Sequence, residues 1–232
     1  MANNAAAFIA KAKSQVGYHE GKSGSTWNNQ QKFSPEVPGL EWSQGQAWCA
    51  TFVSWVAVKT GLTKYIPITA STDAMSKWFQ DRGQWSEYPA VGAFGFLAQN
   101  GDEYHVFTVE RYDDTYVYTI EGNTNDNGSS QGDGVYELKR IRRSASIEGY
   151  GYPAYPEGLD SADPHYKKPA VKKAVAATPA KPGAKKERPA NVKKAIASFK
   201  QLQKNAKANH NLKKANKAAA QIKQIRNNWP KS

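Results

Sequence analysis

The sequence predicts an α+β domain followed by a separate basic segment. Apolar residues recur at helical spacing over residues 48–60, and several segments typical of β-strands follow between residues 91 and 142. Helices that precede a run of strands are the α+β order. Residues 1–164 contain 13 Lys/Arg and 19 Asp/Glu, a net charge of −6, whereas residues 165–232 contain 19 and 1, a net charge of +18. This asymmetry indicates two parts with different roles.

The helices are expected first along the chain. Residues 6–13 are typical of the start of a short amphipathic helix, and residues 71–80 predict another short helix. The clearest helix covers residues 48–60, with Gly61 as its stop signal. Its face is strongly apolar, so we expect it to pack against a sheet.

The strands are expected to form an antiparallel sheet. Residues 104–112 and 115–121 are rich in β-branched and aromatic side chains and predict a hairpin. The other strand candidates are residues 91–98 and 135–142, and residues 149–153 close the domain.

The length of the hairpin turn decides which side chains share a face. A two-residue turn at Asp113-Asp114 places His105 opposite Gly122, whereas a three-residue turn places His105 opposite Asn123. In the second register His105, Glu121 and Asn123 share one face. Joint chemistry requires that register, so we predict an odd-length turn or a β-bulge in this hairpin.

The domain boundaries follow from composition. Residues 1–158 form the predicted folded domain, and residues 159–189 a Lys/Ala/Pro-rich linker in which repeated proline prevents regular helix. In residues 190–232 a thin, alanine-rich apolar stripe recurs at steps of three or four, with Lys and Arg between. This pattern predicts a basic amphipathic helical segment.

Composition excludes some classes of protein. The chain has one cysteine, so an internal disulfide is excluded, and 39% apolar residues are enough for a core. No stretch approaches the 18 or so apolar residues of a membrane span. We also expect no signal peptide, since the N-terminal residues lack a basic start followed by an apolar stretch.

Three short segments carry the candidate chemistry. Cys49 lies near a predicted helix start, where the helix dipole and unpaired N–H groups favour a thiolate and could hold an oxyanion. His105 could be its base, with Glu121 or Asn123 to orient the imidazole. Taken alone, Cys49 is better explained as a small buried hydrophobe and His105 as a polar residue at a strand edge.

Together these segments resemble a family. Trp-Cys-Ala-x-Phe-Val-Ser-Trp-Val, then His-Val, then Ile-Glu-Gly-Asn-Thr are similar to the CHAP family of cysteine amidohydrolases and peptidases, and in particular to endolysins of phages that infect actinobacteria. The resemblance covers roughly residues 8–156 and implies a papain-like, NlpC-like fold. It also implies that Cys49 is the nucleophile and His105 the general base and later acid. Glu121 and Asn123 would orient the histidine and shape the oxyanion environment.

The chain departs from the family pattern at two places. Gly92-Ala93 stands where the family often has Gly-Asp, and Phe107 stands where a small residue is usual, which would narrow the substrate groove. Trp48 is a candidate to line that groove, and Gln46 to assist the oxyanion. The early part of the chain lacks a cluster of carboxylates, so we predict no metal, and no cofactor is expected.

The resemblance implies a peptidoglycan hydrolase of the endolysin type, either an N-acetylmuramoyl-L-alanine amidase or an endopeptidase. We expect a monomer, made in the host cytoplasm, that acts on the wall after release by a holin or similar component. The basic tail, residues 165–232, would bind anionic wall polymers, with nucleic acid as the other candidate. The alternatives are a tail-associated lysin of the virion, or a non-enzymatic binding protein with a degenerate hydrolase domain.

Overall fold

A computed structural model describes residues 3–169 of the chain. Residues 170–189 of the predicted linker and the whole predicted basic segment, residues 190–232, lie outside the described residues. Within residues 3–169, no helix is long and apolar enough to span a bilayer.

Three α-helices lie where the sequence predicts them. They are α1 (Asn4–Lys13), α2 (Cys49–Thr60) and α3 (Thr72–Gln80). Ser71 caps α3 by accepting a hydrogen bond from the Ala74 N–H. Gly61 ends α2 with φ of +71°, a left-handed conformation that glycine adopts without steric cost. Two short 3₁₀ turns, Ser34–Glu36 and Glu41–Ser43, lie between α1 and α2.

The strands form one main antiparallel sheet and two small pairs. In chain order the strands are β1 (Lys22–Ser23), β2 (Thr26–Trp27), β3 (Trp85–Ser86), β4 (Ala90–Val91), β5 (Phe94–Gln99), β6 (Asp102–Tyr112), β7 (Tyr116–Thr124), β8 (Gly134–Ile141), β9 (Ile147–Gly151) and β10 (Asp160–Ser161). The main sheet has the order β3-β9-β5-β6-β7-β8, with β1-β2 and β10-β4 as separate pairs. The prediction of an α+β fold with helices on an antiparallel sheet is confirmed.

Helix α2 is buried on all sides in its first part. Every residue from 49 to 57 is buried, so the helix has apolar neighbours around its whole circumference. It approaches β7 closely at Gly122, where an added Cβ would lie 2.7 Å from the Trp48 ring and 2.8 Å from Phe52. The absence of a side chain at Gly122 is what allows the start of α2 to lie against this strand.

The hairpin of β6 and β7 contains the predicted bulge. Thr108 pairs with Ile120 and Val109 with Thr119, but the register then shifts between Val109 and Arg111. The extra residue in β6 increases the local twist and moves the pairing by one. On the side of the bulge nearest the site, Thr108 therefore pairs with Ile120, which is the register that the sequence predicts for joint chemistry.

Residues 159–169 pack against the rest of the described chain. Asp160 and Ser161 pair with β4, and Leu159 is buried. Tyr152 donates or accepts a hydrogen bond at the Ser161 hydroxyl over 2.7 Å. The described part of the predicted linker is thus attached to the folded domain.

Candidate active site

Cys49 is the first residue of α2 and is only 5% exposed. Its sulfur lies at the end of the helix where N–H groups lack partners in the preceding turn. The N–H groups of Ala50 and Val106 both face the sulfur and favour its anionic form. This is the placement that the sequence analysis predicts for a nucleophile.

His105 and Glu121 form a buried pair beside the thiol. His105 Nε2 lies 2.8 Å from Glu121 Oε2, and both side chains are fully buried. The opposite ring nitrogen, Nδ1, is buried and has no hydrogen-bond partner among the described residues. With Nε2 held by the carboxylate, Nδ1 is the nitrogen that remains for the sulfur.

The charges of these three groups support one another. Burial raises the pKa of the Cys49 thiol, but the adjacent His105 and the two N–H groups outweigh burial and lower it overall. Burial lowers the pKa of His105, but Cys49 and Glu121 raise it to about 9. Burial raises the pKa of Glu121, but His105 and Arg140 lower it to about 2. The favoured state at neutral pH is therefore a thiolate, an imidazolium and a carboxylate.

Two residues that the sequence analysis missed complete the surroundings of Glu121. Arg140, on β8, donates from Nε to Oε1 over 2.7 Å and from Nη2 to Oε2 over 2.6 Å. The Thr119 hydroxyl donates to Oε1 over 2.5 Å. The register of β8 against β7 could have revealed Arg140, but it depends on the long loop before β8, whose path the sequence does not fix.

Asn123 contacts the backbone before the nucleophile. Its Oδ1 accepts a hydrogen bond of 2.9 Å from the Trp48 N–H, and its Nδ2 donates one of 2.9 Å to the Ser130 carbonyl. Its φ of +58° is left-handed, a conformation that asparagine adopts more readily than most residues. Asn123 thus anchors the entry to α2, while Glu121 is the residue that contacts the imidazole.

Of the three residues expected near the substrate, two are buried and one is exposed. Trp48 and Phe107 are fully buried, so the expectation that they line a groove does not fit the structure. The Trp48 indole donates to Glu20 Oε2 over 2.6 Å, and the Phe107 ring covers Gly95, where an added Cβ would lie 2.1 Å away. Phe107 therefore fills space in the interior. Gln46 is exposed three residues before the nucleophile, and its role stays a prediction.

No group of three or more His, Cys, Asp or Glu side chains suited to a metal ion occurs within residues 3–169. The Glu121 carboxylate is instead held by His105, Thr119 and Arg140. The chemistry available to these residues is that of a thiolate with an adjacent proton donor.

Iodoacetamide is expected to alkylate Cys49 rapidly at about pH 6, where an ordinary thiol is almost unreactive. The reason is that His105 holds the sulfur as a thiolate well below the usual pKa of cysteine. Mass spectrometry of the intact protein over a pH series measures the rate. Because Cys49 is the only cysteine, one added group reports on this site alone.

The His105→Ala variant is expected to react at least about tenfold more slowly at that pH, since the thiolate fraction falls tenfold for each unit by which the thiol pKa rises. Burial would then raise the pKa of Cys49 without the opposing imidazolium. The exposed His165 gives the matched control, His165→Ala. Equal alkylation of the wild type and His105→Ala would show that the two groups do not interact.

Comparisons with known proteins place a family domain over this site. Residues 41–123 match the family model of the CHAP domain. The curated proteins give no match. A solved structure, described as the crystal structure of Ly7917, aligns at 18% identity and a TM-score of 0.38, over 64% of this chain and 62% of that one. The mixed fold with its mainly antiparallel sheet is consistent with a papain-like CHAP fold. Residues 41–123 therefore contain a CHAP domain.

Proposed function

We propose that the protein is a cysteine-dependent hydrolase that cuts an amide bond in bacterial peptidoglycan. The observation that carries this proposal is the buried imidazole of His105, bound to Glu121 through Nε2 over 2.8 Å and left with Nδ1 for the sulfur of Cys49. Such an arrangement supplies a nucleophile, a proton donor and a group that orients the donor.

The first half of the reaction forms a thioester. The Cys49 thiolate attacks the carbonyl carbon of the amide, and the carbonyl oxygen becomes an oxyanion near the N–H groups at the start of α2. The imidazolium of His105 gives its Nδ1 proton to the leaving nitrogen as the C–N bond breaks. An amine departs, and the acyl group stays on the sulfur.

The second half restores the enzyme. Neutral His105 takes a proton from water through Nδ1, and the hydroxide that forms attacks the thioester carbon. The C–S bond breaks, and the products are the Cys49 thiolate beside the imidazolium and a carboxylic acid, which loses its proton to solvent. Glu121 stays ionised throughout and stabilises the imidazolium through Nε2.

The biological setting is proposed from the resemblance in the sequence. We place the protein among phage endolysins, released to the wall at lysis, with a tail-associated lysin of the virion as the variant that uses the same chemistry. Amidase and endopeptidase action need the same catalytic groups. The bond that is cut must therefore be identified from the products.

Digestion of purified actinobacterial peptidoglycan by the full chain is expected to release fragments with new amino termini. Mass spectrometry then separates the two activities. A new L-alanine amino terminus on a free stem peptide identifies an amidase, whereas a new terminus within the stem or cross-bridge identifies an endopeptidase. A digest without new termini, equal to the Cys49→Ala blank, would favour the non-enzymatic binding protein.

The basic tail is proposed to bind anionic wall polymers. Its charge of +18 over residues 165–232 is carried mainly by lysine, which acts as a point charge without fixed geometry. Binding of the full chain to purified walls is therefore expected to fall steeply between about 0.05 and 0.5 M NaCl, as the screening length shortens. Walls stripped of their anionic polymers give the matched control. Undiminished binding to stripped walls, or stronger binding to DNA than to intact walls, would contradict wall adhesion.

A further inference from the structure

Glu121 is a fully buried carboxylate, and each of its two oxygens accepts two hydrogen bonds. Oε2 accepts from His105 Nε2 at 2.8 Å and from Arg140 Nη2 at 2.6 Å. Oε1 accepts from Arg140 Nε at 2.7 Å and from the Thr119 hydroxyl at 2.5 Å. A buried carboxylate without a cation beside it would favour its protonated form. Two of the four donors come from a single guanidinium.

The charges in this part of the molecule alternate in sign. Cys49, His105, Glu121 and Arg140 contribute a thiolate, an imidazolium, a carboxylate and a guanidinium, which sum to zero. Without the guanidinium the remaining three buried groups carry a net charge of −1, in a region where Cys49, His105 and Glu121 are almost inaccessible to water. An uncompensated buried charge is costly, so loss of the guanidinium would favour protonation within the group.

Arg140 is held from more than one side. It lies on β8 opposite Val117, four residue pairs away from the pair of Glu121 with Tyr136, so only a long side chain can reach the carboxylate. Its side chain is 17% exposed, and Nη2 also donates to the Gly128 carbonyl over 3.3 Å. The guanidinium carbon lies 5.6 Å from the centre of the Phe107 ring. These contacts hold the guanidinium in the plane in which it can donate to both carboxylate oxygens.

We propose that Arg140 is a positioning residue, which keeps Glu121 ionised and oriented and so maintains the thiolate–imidazolium pair of Cys49 and His105. This role rests on the proposed function, since it concerns the same site. Arg140 lies outside the residues that match the CHAP model. It acts on the reaction only through Glu121 and His105.

Few titratable or charged groups face the Glu121 carboxylate from the neighbouring elements. His105 on β6 and Arg140 on β8 face Glu121 directly. His105 in turn faces Cys49 on α2, and Arg140 also faces the Tyr104 hydroxyl. Loss of Arg140 would raise the pKa of Glu121, which lowers the pKa of His105 and thereby raises that of Cys49. The pH profile of the thiolate should therefore move to higher pH.

The experiment measures alkylation of Cys49 by iodoacetamide against pH in the full chain, with thermal unfolding as the test of folding. Arg140→Met is expected to react at least about tenfold more slowly at about pH 6, because removal of an adjacent opposite charge shifts a pKa by one unit or more. Arg140→Lys is expected to recover only part of the rate, since an ammonium cannot engage both oxygens. Arg142→Met is the matched control, because Arg142 donates to the Asp113 carbonyl and not to Glu121.

Folding of the variants is itself informative. If Arg140→Met unfolds while the double variant Glu121→Gln/Arg140→Met folds, the charge of Glu121 depends on Arg140 and the proposal is supported. A folded Arg140→Met protein with the wild-type pH profile would overturn it. Unfolding of all the Arg140 variants, with Arg142→Met folded, would make Arg140 a structural residue and would also overturn it. Alkylation of Cys49 does not depend on hydrolysis. If Arg140→Met shifts the pH profile of alkylation as expected but the wild-type protein leaves peptidoglycan intact, the proposed function is rejected and the role of Arg140 stands.

Discussion

Replacing Cys49 by alanine is expected to lower the rate of peptidoglycan hydrolysis by roughly three to six orders of magnitude, to the level of a protein-free blank. The thioester cannot form without the sulfur, and the remaining groups offer no other nucleophile. The measurement is the release of soluble fragments from purified peptidoglycan. Alanine is close in size to cysteine, so the variant should keep the wild-type unfolding temperature within a few degrees.

Cys49→Ser separates the need for a nucleophile from the need for an ionised one. The serine hydroxyl is not ionised by the neighbouring imidazole as the thiol is, so we expect this variant to be nearly as inactive as Cys49→Ala. His165→Ala serves as a control for preparation and folding, with wild-type activity. Wild-type activity in either Cys49 variant would remove the sulfur from the mechanism.

Gly122→Ala is expected to lower the free energy of unfolding by about 1–3 kcal/mol, the usual cost of overpacking a well-filled core. The new Cβ would lie 2.7 Å from the Trp48 ring and 2.8 Å from the Phe52 Cβ. The Phe52 atom is attached directly to the α2 backbone, so the helix must move as a body. That movement displaces Cys49 from His105, and a displacement of about 1 Å costs on the order of 10²-fold in rate.

The matched control for this variant is Gly39→Ala. Gly39 has φ of +92°, and an added Cβ there meets no atom within 4 Å. The cost should be backbone strain of about 1–2 kcal/mol, with no effect on α2. Chemical unfolding and initial rates of hydrolysis, measured on both folded variants, distinguish the two. Similar rates for Gly122→Ala and Gly39→Ala would show that the approach of α2 to β7 does not control the site.

The elements that hold the catalytic groups could be predicted because their signals are local. The start and end of α2 follow from its apolar spacing and from Gly61, and the hairpin follows from two β-rich runs with a turn between them. The bulge followed from requiring His105 and Glu121 to share a face. In each case, residues close together in the chain determine the outcome.

The parts that could not be predicted depend on contacts between distant segments. Arg140 reaches Glu121 only through the pairing of β7 with β8, and the intervening loop leaves that register open. Trp48 is in the core because the carboxylate of Glu20, far earlier in the chain, accepts its indole N–H. Asn123 turns to the backbone of Trp48 because its own left-handed conformation directs it there. The spacing of residues along the sequence does not reveal which of these distant segments come into contact.

The most direct test of the central claim is to count the new amino termini released from purified peptidoglycan by the wild-type chain and by Cys49→Ala. We predict that the wild type releases one class of new terminus in amounts that rise with time, and that Cys49→Ala releases none above the blank. New termini in equal amounts from both proteins would contradict a thiolate mechanism. Their absence from both would contradict hydrolysis itself.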